Sequence, residues 1–143
     1  MKIEKIELHR VELPLLHPFE LSSGIIFNKV CIIISVHSEG ISGHGECVAE
    51  ADPWYSSETS GTAWHILQEF LIPQVLGKDI NSIDEVVQKF SDVRGNQMAK
   101  AGLENAFWDL FAKADSISLS KMMGGVRDKI PVGVSVGIES SIN

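Results

Sequence analysis

Residues Val30 to Val36 read VCIIISV. An almost unbroken β-branched run suits a central strand, because side chains stiff at χ1 pack well on a pleated surface buried on both faces. Ser38-Glu39-Gly40 follows with turn chemistry, and Ile41 to Val48 returns as a partner strand. Upstream, Ile3 to Leu13 is rich in Ile, Leu and Val, but its apolar phase slips between Leu8 and Val11. A bulge would absorb the slip; a short helix is the rival reading. Together these segments predict a three-stranded antiparallel meander.

The pattern then changes period. Ala63, Ile66, Leu67, Phe70 and Leu71 make one helical stripe, with Ser57 or Thr59 as cap and Pro73 to end or kink it. Ser82 and Glu85 form a capping box before the stripe Ile83, Val86, Val87 and Phe90. A third helix is predicted from about Asn96 to Ala114. Its inner face is Ala99, Leu103, Ala106, Phe107 and Leu110, where small residues permit close contact. A short helix near Ser118 to Met123 stops at Gly124-Gly125.

A further strand is expected at Pro131 to Ile138, beyond a polar link at 126–129. Its Gly-x-Ser-x-Gly alternation leaves one face almost bare, as where something must approach the backbone closely. The plain alternative is a strand added to the edge of the meander. Strands followed by helices indicate an α+β fold, and 143 residues suffice for one domain with a real core.

Composition narrows the partners. Net charge is -7 with both signs interspersed, so no basic stripe offers itself to nucleic acid. No apolar run approaches the roughly 20 residues of a membrane span. The first residues, MKIEKIELHR, are charged throughout, unlike a signal peptide. Cys31 and Cys47 fit reduced thiols and a cytoplasmic location.

Four stretches carry a resemblance: HPFELSSG (17–24), GHGECVAEADPWYSSET (43–59), RGNQMAKAGLENAFWDL (94–110) and GGVRDKIPVGVSVGI (124–138). In order and spacing they resemble the enolase superfamily, and within it the muconate-lactonizing subgroup. The likeness is strongest to o-succinylbenzoate synthases and N-succinylamino acid racemases. It implies an α+β capping domain over 1–125, then the start of a truncated β/α barrel over 126–143, whose first strand is Pro131 to Ile138. A barrel takes about 250 residues, and fewer than 20 follow Gly125. The chain is therefore expected to be the N-terminal piece of a longer enzyme.

The resemblance also implies a chemistry: proton abstraction next to a carboxylate, with the enediolate held by Mg²⁺. A Lys-x-Lys pair and the acidic metal ligands belong to later barrel strands. No Lys-x-Lys occurs here, so no catalytic residue and no metal ligand is assigned, and the chain alone is expected to be inactive without a base beside the acidic proton. What the resemblance leaves is a lid of two loops, Phe19 to Phe27 and Glu50 to Ser57. By that likeness Phe19, Ser23, Glu50, Tyr55 and Ser135 are candidates to line the pocket of a small carboxylate substrate. By the same likeness Glu50 and Ser23 depart from the bulkier or apolar residues usual there, and Glu50 facing an anionic group would be unfavourable unless it turned outward. A dipeptide epimerase or muconate cycloisomerase is the alternative parent. A free-standing interaction module is the alternative of another class; unpaired edges at the last strand would make it self-associate. A homo-oligomer is expected.

Other signals have bland readings. His44 and Cys47 are three apart on a strand and point to opposite faces, which argues against a metal site with His37. Gly43-x-Gly45 sits inside a hairpin rather than before a helix. Ser135 has the spacing of a hydrolase elbow, but no helix follows. Lys100 and Glu104 read as a surface pair.

Overall fold

The computed structural model describes residues 1–21 and 24–135. Three antiparallel strands come first, in the order β1 (Lys5–Leu21), β2 (Gly24–Ser38) and β3 (Ile41–Cys47). Glu39 and Gly40 both take positive φ, 51° and 78°, as a two-residue hairpin turn matched to strand twist requires. The helices follow: α1 (Ser60–Ile66), α2 (Ile83–Phe90), α3 (Gln97–Ala114) and α4 (Leu119–Met122). The meander and the α+β order are as the sequence predicts.

One face of the sheet is the core. Ile32, Ile34 and Val36 of β2 are fully buried against Leu67, Leu71, Val86, Phe90 and the expected inner face of α3. Ile3 joins them, because the N-terminal segment is tied to residues 77–80: Ile3 donates to Lys78 O and accepts from the Gly77 N–H.

The helix α3 lies unusually close to β3. A Cβ on Gly45 would stand 2.2 Å from the Gly102 carbonyl oxygen, and one on Gly43 would stand 2.2 Å from that of Ala106. In return, a Cβ on Gly102 would meet the Cys47 backbone at 2.9 Å. Three glycines thus let helix and strand touch through their main chains, which explains the Gly-x-Gly inside the hairpin. The expected small residues of α3 were only half of this contact.

The slip expected between Leu8 and Val11 is not a bulge. Pairing runs without a break from Lys5↔His37 to Pro14↔Asn28. Ile6 and Leu8 pack on the core, whereas Val11 pairs with the buried Cys31 on the other face, so β1 is apolar on both sides. The irregularity lies further on, where β1 runs from Pro14 to Phe19 while β2 moves only from Asn28 to Ile26. Pro18 falls inside that bulge, where a residue without an N–H disturbs no ladder. Both strands therefore continue well beyond the expected bounds.

Thr59 caps α1 with a full capping box to Thr62. The helix then widens into a π-helical turn at Leu67–Leu71 and a 3-10 turn at Ile72–Gln74. Pro73 has no N–H for the regular ladder, and the chain changes its turn just before it. The wider turn swings Phe70 out to half exposure while Ala63, Leu67 and Leu71 stay buried. At α2, Ser82 accepts from the Glu85 N–H, but the Glu85 carboxylate reaches the Asn81 N–H rather than that of Ser82. Lys100 and Glu104 do not pair: Lys100 donates to the Val93 carbonyl and Glu104 accepts from the Trp108 indole at 3.1 Å. Residues 131–135 belong to no strand. A strand exists only by its ladder, and no partner lies beside them among the described residues. The rest of that expected strand, 136–138, is outside the described residues.

Candidate functional site

β3 is shorter than β2. Its last residue, Cys47, pairs with Ile32, so among the described residues β2 from Gly24 to Cys31 has β1 on one side and an open edge on the other. The chain leaving β3 runs past that edge as the segment Val48 to Trp54. Between them lies a cavity of about 260 Å³. Leu21, Ile25, Ile26 and Val30 form its apolar wall. Lys29, Glu50 and Asp52 bring charge, and Trp54 stands at its border.

The sequence candidates fall in different places. Glu50 lines the cavity and is half-buried. Phe19 pairs with Ile26 across the hairpin and is 56% exposed, beside the lining rather than in it. Tyr55 is exposed on the loop and Ser135 in the unpaired tail, both away from this lining. Ser23 lies outside the described residues. Lys29, Asp52 and Trp54 were not singled out by sequence. Trp54 directly precedes Tyr55, and period alone cannot say which of two adjacent loop aromatics turns to a cavity. Lys29 and Asp52 are single charges with no local pattern.

The loop has a fixed base. The Glu50 carbonyl accepts from the Ser60 N–H at 2.7 Å, which brings its two ends together. Beside that closure, the Glu58 carboxylate accepts from the Met98 N–H at 3.0 Å and the Ala99 N–H at 3.2 Å, at the start of α3.

The histidines and cysteines serve the sheet. His37 bonds the Glu7 carboxylate at 2.8 Å and the Ser42 hydroxyl at 2.7 Å, and Ser35 bonds His44 Nδ1 at 3.0 Å. The hydrogen bond and charge of Lys5 outweigh desolvation, and with His37 they hold the Glu7 carboxyl below its ordinary range. Burial pushes the thiols of both Cys31 and Cys47 up, away from the reactive thiolate. Among the described residues no three His, Cys, Asp or Glu side chains are grouped to hold a metal ion. No helix among them is long and apolar enough to cross a membrane.

Residues 5–124 match the family model of the mandelate racemase / muconate lactonizing enzyme N-terminal domain. The chain belongs to this family. Its fold places it with the enolase superfamily: it superimposes on the crystal structure of a superfamily member from Listeria innocua with a TM-score of 0.92, at 42% identity over 99% of this chain and 38% of that one. It is 42% identical to the o-succinylbenzoate synthase of Bacillus subtilis over 96% of this chain. It is also 42% identical to the N-succinylamino acid racemase of Thermus thermophilus over 99% of this chain. In both cases it spans 38% of the relative's length. The cavity is lined by residues of 21–30 and 50–54, which overlap the two segments, 19–27 and 50–57, that the family resemblance implies as loops.

Proposed function

We propose that this chain is the capping domain of a metal-dependent enzyme that abstracts a proton alpha to a carboxylate. The reaction is that of an o-succinylbenzoate synthase, an N-succinylamino acid racemase, or both. The observation that carries the reading is the cavity on the open edge of β2, walled by the hairpin and bordered by the 50–54 loop. It sits in a domain 42% identical to enzymes of both names.

In this reading the cap binds and encloses, and the groups that move protons lie in a barrel of which residues 126–143 are the opening part. The family's chemistry implies Mg²⁺, which would stabilise the enediolate charge. The described residues hold no group of ligands fitted to it, so no step here passes through a metal. Phe19, Ser23, Glu50, Tyr55 and Ser135 are proposed to face the substrate when the barrel lies beneath them. Supporting this, the hairpin and loop expose large apolar side chains: Leu16 is 97% exposed, Trp54 77% and Tyr55 79%. Apolar surface of that extent is used when something covers it, and covering it would exclude water from the reacting carboxylate. The assembled enzyme is read as a cytoplasmic homo-oligomer.

The test compares this chain with a version continued through a barrel, each given Mg²⁺ and either the synthase's cyclohexadiene carboxylate or an N-succinylamino acid. The longer protein should dehydrate the first or racemise the second, and this chain should do neither. Turnover by this chain alone, or a folded longer protein inert toward both substrates, would overturn the proposal.

A further inference from the structure

The start of α3 is short of its own cap. Asn96 takes a left-handed backbone conformation, φ 54°, with no side-chain bond to the helix. Its amide nitrogen instead donates to the Arg94 carbonyl at 3.0 Å, and the first turn of α3 carries no acidic residue. The missing acceptors come from a distant part of the chain. Both oxygens of Glu58 meet the Met98 N–H, at 3.1 and 3.0 Å, and one of them also meets the Ala99 N–H. A carboxylate there is favoured twice, by charge-assisted hydrogen bonds and by the positive end of the helix.

Seen from the loop, the same contact is an anchor. Residues 50–60 are closed at the base by a single backbone bond, Ser60 N–H to Glu50 carbonyl. Glu58 turns its own N–H to the Ser56 hydroxyl at 3.1 Å, which fixes the last turn before the base. The body it grips cannot easily yield, because α3 is seated main chain to main chain on β3. We infer that Glu58 is a positioning residue: it holds the 50–57 loop, and with it Glu50 and Trp54, at a set height over the cavity. The loop is then a pinned arch rather than a free flap, and only its crown can move. That this arch borders a substrate rests on the function proposed above; that Glu58 pins it does not.

The test uses native-state proteolysis of this chain. Chymotrypsin cuts after exposed aromatics, and Trp54 and Tyr55 stand on the crown. Cutting there needs several residues to open locally, so its rate reports the local opening equilibrium. Glu58→Ala should raise the rate of this cut at least 10-fold, with fragments identified by mass. Glu58→Gln, which keeps one acceptor oxygen, should stay within about 3-fold of the parent. Ser82→Ala removes the cap of α2, a comparable loss of stability away from the loop, and should leave the cut unchanged. An unaltered rate in Glu58→Ala, or equal acceleration in Ser82→Ala, would show that Glu58 serves only general stability and would overturn the inference. In the barrel-containing protein Glu58→Ala should raise KM about 10-fold and leave kcat within 2-fold. Faster cutting with KM unmoved would uphold the anchor and remove the loop from the substrate site.

Discussion

Replacing Gly45 by Ala adds one methyl group at the tightest point of the fold. The new Cβ would lie 2.2 Å from the Gly102 carbonyl oxygen and 2.7 Å from the Ala106 nitrogen. Ordinary contact begins near 3.4 Å, so strand and helix must part by about 1 Å. Neither obstacle is a side chain that can rotate away; both are main-chain atoms of α3. Overpacking typically costs about 1–3 kcal/mol, and with rigid backbone on both sides the upper end, about 3 kcal/mol, applies. For a domain of this size that corresponds to a melting temperature lower by roughly 10 °C. Urea and thermal unfolding followed by circular dichroism would measure it. The companion change is Gly61→Ala in the first turn of α1, where the nearest atom stands 3.7 Å away and φ is not positive. It should stabilise by about 0.4–1 kcal/mol, through the unfolded chain. A Gly45→Ala protein within about 0.5 kcal/mol of the parent, with an unchanged m-value, would refute the account of the α3–β3 contact.

Asp109 accepts from Lys113 at 2.7 Å and from the His44 N–H at 2.7 Å. Desolvation pushes its carboxyl up, but these bonds and charges outweigh it and leave the pKa below its ordinary 3.8. A depressed folded value contributes stability that is present above the unfolded pKa and lost as pH falls through the folded one. Asp109→Asn should therefore cost about 0.3–1 kcal/mol at neutral pH and flatten the acid limb of stability below about pH 4, read by urea midpoints across pH. Cys31 and Cys47, buried and with raised pKa, should react with a disulfide reagent at pH 8 at least about 100-fold more slowly folded than in urea; equal rates would mean the sheet opens freely. Glu50→Gln removes one of the cavity's two carboxylates, leaving Asp52 with Lys29. In a barrel-containing enzyme it should lower KM for an anionic substrate about 2–5-fold, with kcat little changed. A raised KM would mean that Glu50 holds the substrate rather than repelling it.

Much of the fold could be read from the chain because burial writes it there. The run at Val30 to Val36 and the α3 face of Ala99, Leu103 and Leu110 sit where one face meets the core, and the exposed turn at Glu39-Gly40 was legible from its residue types alone. The hairpin tip was illegible for the opposite reason. Leu13, Leu16, Phe19 and Phe27 are exposed, so no inside-outside alternation records the register, and two prolines in β1 look like strand breaks. The π-helical turn escaped because a regular period of 3.6 cannot express a change of period. Glu58 was invisible as a cap, since its partners lie 40 and 41 residues away and local motifs reach only three or four. The site was legible as two loops; which of their side chains meet across the cavity depends on the height at which those loops are held.

The open edge of β2 beside the cavity has a consequence for how such a domain changes over time. Along Gly24 to Cys31, every second residue turns its N–H and C=O away from β1. Those groups are supplied by the main chain and survive any substitution except proline. A lineage can therefore exchange Ile25, Asn28 or Lys29 to suit a new ligand while an invariant row of donors and acceptors persists beneath them. Novelty in the side chains and constancy in the backbone are separable in this architecture, which lets one scaffold be retailored without being refolded.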